Sequence, residues 1–143
     1  MRCFSLKSYL LILALIWPGL GVPAAFADLL VGSNRTNALL RFDENTGELI
    51  DEFVAGGSGG LTRPGGIALG PDGNLYVASN MTDNVLRYSG ATGEFIDEFV
   101  AAGSGDLHKP SAIVFGPDQN LYVNSQGTNS VLRYDGMTGE FID

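Results

Sequence analysis

Cysteine, histidine and tryptophan occur once each in this chain, as Cys3, His108 and Trp17. With its one cysteine at position 3, the chain can form no internal disulfide, and a cysteine-ligated metal site is excluded as well. Basic residues are also scarce, eight against sixteen acidic ones, for a formal charge of −8. A field of that sign repels phosphate backbones and anionic lipid surfaces, which excludes nucleic acid as a partner. No apolar run approaches the roughly 20 residues of a membrane-spanning helix. Neither a phosphate-binding glycine loop nor a nucleophile elbow occurs, so the motifs of nucleotide hydrolysis and of acyl transfer are missing.

What is present begins with an export pattern. Arg2 and Lys7 precede the apolar stretch Tyr9 to Trp17, Pro18 and Gly19 break it, and Ala25-Phe26-Ala27 supplies a small-x-small cleavage site before Asp28. Residues 1–27 therefore read as a cleavable signal peptide and the product as secreted or periplasmic, with no membrane span after cleavage. Cleavage leaves six basic residues against sixteen acidic ones.

The rest of the chain repeats itself with a period of 46 residues. Gly70-Pro71-Asp72-Gly73-Asn74-Leu75-Tyr76-Val77-Ala78-Ser79 returns as Gly116-Pro117-Asp118-Gln119-Asn120-Leu121-Tyr122-Val123-Asn124-Ser125. The same shift carries Leu40-Arg41-Phe42 onto Leu86-Arg87-Tyr88 and Leu132-Arg133-Tyr134, and Thr46-Gly47-Glu48 onto Thr92-Gly93-Glu94 and Thr138-Gly139-Glu140. A register held without insertions is what a stack of identical supersecondary units requires.

Within one unit, four short β-type segments alternate with turn signals. Ile67 to Leu69 is apolar, Gly70 to Asn74 carries the Pro and Asp-Gly chemistry of a tight reversal, and Leu75 to Ser79 is aromatic and β-branched. Asn84 to Tyr88 and Glu94 to Val100 complete the set before the glycine-rich connection 101–109. Helical periodicity is interrupted by glycines and Asp-Gly turns in every usable window. Four strands per 46 residues predict an all-β protein, a β-propeller of four-stranded antiparallel blades.

The order Pro64-Gly65-Gly66-Ile67, Pro71-Asp72-Gly73-Asn74-Leu75-Tyr76-Val77, Asn84-Val85-Leu86-Arg87-Tyr88 and Thr92-Gly93-Glu94-Phe95 resembles the NHL repeat, and Pro110 to Phe141 follows it with Gln119 at the turn glycine. The resemblance implies a propeller but not one function, since NHL-type propellers include binding scaffolds, lyases and ring-opening lactonases. It assigns a partial blade to 28–54, a blade to 64–100 and a truncated blade to 110–143, about two and three-quarter blades. Rings close with roughly 4–8 blades. The chain is therefore expected to be a segment of a longer propeller; the other way to close a ring is association of several copies through open blade edges.

Candidate contacts lie in the loops after the second strand of each unit and in the interblade connections: Asn34, Arg35, Asn80, Thr82, Asp83, Gln126, Thr128, His108 and Lys109. Amides and hydroxyls suit a protein, peptide or glycan ligand. No catalytic residue and no metal ligand is assigned. By resemblance to streptogramin lyases His108 deserves weighing as a general base, but its counterpart one unit earlier is Thr62 and the sequence offers no partner for it. No cofactor is expected of this chain, although a lactonase-type full ring implies a divalent cation in its channel. The function read from the sequence is a non-catalytic binding scaffold; the alternative is a propeller lyase or lactonase-type enzyme with its catalytic residues in missing blades. Arg41, Arg87 and Arg133 are expected to pair with Asp51, Asp97 and Asp143 on the neighbouring strand.

Overall fold

The computed structural model describes residues 28–143, so the expected signal peptide lies outside the described residues. Ten strands follow one another along the chain: β1 (Asp28–Ser33), β2 (Ala38–Asp43), β3 (Leu49–Val54), β4 (Pro64–Leu69), β5 (Leu75–Ser79), β6 (Asn84–Tyr88), β7 (Phe95–Val100), β8 (Pro110–Phe115), β9 (Leu121–Ser125) and β10 (Ser130–Tyr134). They form three antiparallel meanders, β1-β2-β3, β4-β5-β6-β7 and β8-β9-β10, here sheets 1, 2 and 3. No described helix is long and apolar enough to cross a membrane.

The repeat fixes the register as well as the strands. Pro64 pairs with Ser79 and Ile67 with Val77, and one period later Pro110 pairs with Ser125 and Ile113 with Val123. Proline is tolerated as the first residue of these inner strands because it needs no ladder donor there. Sheet 1 matches the last three strands of the unit, and among the described residues no strand pairs with the inner edge of β1. Beyond β10 the chain starts its fourth strand: Tyr134 bridges Phe141, the Ile142 N–H donates to the Arg133 carbonyl at 2.8 Å, and the Arg133 N–H donates to Asp143 O at 2.7 Å.

Alternation along each strand sends side chains to opposite faces of a sheet. In sheet 2, Leu75, Val77, Leu86 and Tyr88 face backwards along the chain and pack on Leu39, Phe53, Val54 and Leu61. Tyr76, Ala78, Val85 and Phe99 face forwards and pack on Ile113, Leu121, Val123, Leu132 and Tyr134. β5 is buried at all five positions because both its faces are covered. Each fully buried Leu or Val contributes roughly 1.5–3 kcal/mol relative to its exposed state.

The inner strands approach closely. A Cβ on Gly66 would lie 2.6 Å from the Ile113 nitrogen, so the glycine leaves room for the β8 backbone. Between sheets the chain makes a short 3₁₀ turn, at Ser58–Gly60 and again at Ser104–Asp106. Tyr88 donates its hydroxyl to the Ser58 carbonyl at 2.8 Å and Tyr134 donates to the Ser104 carbonyl at 2.7 Å, tying each sheet to the preceding turn.

The arginine pairing expected from the sequence is present in all three sheets. Nη2 of Arg41, Arg87 and Arg133 lies 2.5 Å from Oδ2 of Asp51, Asp97 and Asp143, with Nε completing a two-point contact each time. The fork holds the two outer strands in register. Aspartates close the turns between strands: Asp43 Oδ1 accepts the Asn45 and Thr46 N–H groups, and Asp72 and Asp118 accept those of Asn74 and Asn120.

Candidate functional site

The repeat brings three amide side chains to one place. Asn34, Asn80 and Gln126 occupy the same position in successive units, directly after β1, β5 and β9, so stacking the sheets lines them up. Together with Arg63, Pro64, Gly65 and Ser111 they line a cleft of about 140 Å³ at the end of the inner strands. Asn80 is anchored, its Nδ2 donating to the Pro110 carbonyl at 3.0 Å. Asn34 and Gln126 are exposed. The cleft thus presents amide donors and acceptors, a hydroxyl and one guanidinium. No carboxylate lines it, and this donor set does not suit a divalent cation, which takes several oxygen ligands of which some carry charge.

Backbone turns set this arrangement. The Asn80 N–H donates to the Arg63 carbonyl at 3.2 Å, and one unit later the Gln126 N–H donates to the Lys109 carbonyl at 3.2 Å. Arg63 and Lys109 both have φ near +52°, a left-handed conformation in a residue that precedes proline. A side-chain oxygen on the preceding sheet holds each in place: Asn37 Oδ1 accepts the Arg63 N–H at 2.9 Å, and Asp83 Oδ1 accepts the Lys109 N–H at 2.7 Å.

The other sequence-based candidates separate into different roles. Thr82 and Thr128 turn inward, their hydroxyls donating to Ser79 Oγ at 2.5 Å and Ser125 Oγ at 2.6 Å, so they close turns and offer no hydroxyl to the cleft. The two serines are fully buried, and each Oγ also accepts the N–H of the facing connection, at Thr62 and His108. Arg35 is exposed at its loop and does not line the cleft.

His108, Asp83 and Lys109 form a second, separate group. His108 Nδ1 lies 3.1 Å from Asp83 Oδ2, across the boundary between sheets 2 and 3. This is the partner that the sequence did not reveal. The Asp83 carboxyl sits below the usual aspartate range, first because of the Lys109 N–H, with burial opposing and the His108 contact and charge adding to the lowering. The His108 ring lies against Gly127, where an added Cβ would collide with it. Geometry therefore orients this imidazole, but it stands outside the cleft.

Arg63 and Ser111 were not among the residues picked from sequence. The signal was available for Arg63, a basic residue directly before the proline of an inner strand, as is Lys109. Ser111 replaces Gly65 of the preceding unit, and its exposure to the cleft depends on how the inner strands stack.

No protein-family model and no curated protein matches the chain. Solved structures do resemble it. Hydrazine synthase of Kuenenia stuttgartiensis aligns with 81% of this chain and 31% of its own, at 25% identity and a TM-score of 0.64. Selenomethionine-substituted virginiamycin B lyase from Staphylococcus aureus aligns with 80% of this chain and 36% of its own, at 23% identity and a TM-score of 0.60. A catalytically inactive variant of the same lyase, solved with quinupristin, covers 85% of this chain at 20% identity and a TM-score of 0.57. The chain spans about a third of the length of the first two. With their antiparallel sheets of three and four strands and these neighbours, residues 28–143 have a β-propeller fold, without a closed ring.

Proposed function

We propose that this chain is an exported NHL-type propeller segment whose cleft at Asn34, Asn80 and Gln126 binds a polar, uncharged ligand, a glycan or an extended peptide. The observation that carries this reading is the convergence of three repeat-equivalent amides, with Arg63 and Ser111, on one cleft. Amides offer donors and acceptors together and match hydroxyl-rich or peptide groups without demanding a charge. Spacing by one unit per sheet suits a ligand that is itself extended. Blades beyond the described residues, in a longer polypeptide, would continue the same row.

The reading rests on no catalytic group, and the cleft contains neither a carboxylate nor an imidazole. A screen of neutral oligosaccharides and uncharged peptides against the purified protein tests it. Binding by the wild type that falls at least tenfold in N34A/N80A/Q126A supports it. Retention of binding by that variant overturns it.

The second reading, a propeller lyase, is favoured by one observation, the 3.1 Å contact that orients His108 through Asp83. A carboxylate behind an imidazole is the arrangement of a positioned general base. Incubation with quinupristin decides between the two: turnover abolished in H108A supports the lyase, and an unchanged substrate supports the binding module.

A further inference from the structure

A second cleft, of about 320 Å³, lies between sheets 2 and 3 at the end opposite the amide cleft. Sheet 2 lines it with Pro71 and Asp72 from the turn before β5, Tyr76 of β5 and Arg87 of β6; sheet 3 adds Gln119 from the turn before β9 and Met137 from the turn after β10. One period earlier Gln119 and Met137 are Gly73 and Ala91, so the boundary between sheets 1 and 2 has neither side chain. Neither departure serves packing. Gln119 keeps the left-handed backbone of Gly73, at φ +63°, which strains a residue that has a Cβ. Met137 is 86% exposed and adds nothing to the core. Two side chains that the fold does not need meet at one cleft, and residues kept against stability mark a binding surface.

The charges around the cleft select the ligand. Arg87 commits Nε and Nη2 to its fork with Asp97, at 3.0 and 2.5 Å. Its Nη1 is held loosely, 3.5 Å from the Tyr76 hydroxyl and 3.8 Å from Asp72 Oδ2, both longer than the roughly 2.7–2.9 Å of a charge-assisted hydrogen bond. Nη1 therefore keeps donor capacity for a ligand oxygen. That oxygen needs no charge, because Asp72 and Asp97 already set two carboxylates beside one guanidinium. Nor does the site favour a cation: Asp72 accepts from the Asn74 N–H and Nδ2 and from the Tyr76 hydroxyl. We infer that this cleft binds the main chain of a peptide that carries an apolar side chain. A peptide carbonyl accepts from Arg87 Nη1, the Gln119 amide complements the peptide N–H, and the apolar side chain lies against Met137 and Pro71. A flexible, polarisable thioether suits apolar groups of varied shape. The site is separate from the amide cleft and does not depend on the reading given to it.

A nuclear magnetic resonance titration of the purified protein with N-acetyl-leucine methylamide, a minimal neutral peptide unit, tests the inference. The Gln119 side-chain amide and the Met137 methyl group are expected to shift along one saturating curve. Q119G and M137A each restore the residue of the preceding unit and so keep the fold. Each is expected to weaken binding, read at the other of the two residues, by roughly threefold to tenfold. N34A/N80A/Q126A is expected to bind at Gln119 and Met137 as the wild type does, which separates this site from the amide cleft. N-acetyl-leucinate, which presents a carboxylate to Arg87, is expected to bind more weakly than the methylamide. Silence of Gln119 and Met137 in the titration, full affinity in Q119G or M137A, loss of these shifts in N34A/N80A/Q126A, or equal or tighter binding of the carboxylate overturns the inference.

Discussion

The Tyr88 hydroxyl donates to the Ser58 carbonyl 2.8 Å away, thirty residues earlier in the chain and on the far side of the boundary between sheets 1 and 2. The side chain of Tyr88 is fully buried and its phenol is pushed well above the ordinary tyrosine range by that burial. Sheet 1 has Phe42 at the equivalent position, half-buried on a face that no described sheet covers.

Tyr88→Phe is accordingly expected to keep the fold and cost about 1–2 kcal/mol, the net value of one hydrogen bond plus the burden of a carbonyl left short of a partner. Urea unfolding measures it, with the midpoint lowered and the slope unchanged. An unchanged midpoint would show that the contact contributes nothing.

Asp83 holds Lys109 in its left-handed conformation and also faces His108. Asn37 performs the first task for Arg63 without a charge. Asp83→Asn should therefore cost little, whereas Asp83→Ala should lose about 1–2 kcal/mol by removing an acceptor that offsets backbone strain. Equal losses in the two variants would contradict a role based on the accepted N–H.

Acid should weaken the protein through the same carboxylates. Asp83 is held low chiefly by the Lys109 N–H, Asp43 by those of Thr46 and Asn45, and Asp135 by those of Thr138 and Met137. A depressed folded-state pKa means that stability is present in full above the unfolded value, about 3.9 for aspartate, and is lost as pH falls through the folded one. Tm is expected to change little on this account from neutral pH to about 5 and to drop below about 4, with a smaller drop in Asp83→Asn. A Tm that rises on acidification below 4 would reverse the sign of the argument.

Gln119 sits at φ +63° where the preceding unit has Gly73 at +77°. A side chain costs about 1–2 kcal/mol in that conformation, part of which glycine returns through its larger unfolded-state entropy. Gln119→Gly is expected to stabilise by about 0.5–1 kcal/mol, a rise of a few degrees in Tm by calorimetry. A fall in Tm would mean that the glutamine side chain makes a contact worth more than the strain.

The period of 46 made the strands, their register and the arginine forks legible, because each rests on local alternation or on partners ten residues apart. Asn34, Asn80 and Gln126 were legible for the same reason, as one repeat position placed after an inner-side strand. The inward turn of Thr82 and Thr128 was not, since the same threonine can face solvent or Ser79 and Ser125 without any change in sequence pattern. Nor was the meeting of His108 with Asp83, which lie 25 residues apart and join only when sheets 2 and 3 pack. Arg63 and Ser111 enter the cleft through that same packing.

The most direct test of the central claim is a nuclear magnetic resonance titration that follows the side-chain amides of Asn34, Asn80 and Gln126 against a bound neutral oligosaccharide or peptide from the screen. The three amides are expected to shift together along one binding curve, with the Tyr88 and Tyr134 regions unmoved. Shifts confined to the surroundings of His108 and Asp83, with the three amides silent, would contradict the cleft as the binding site.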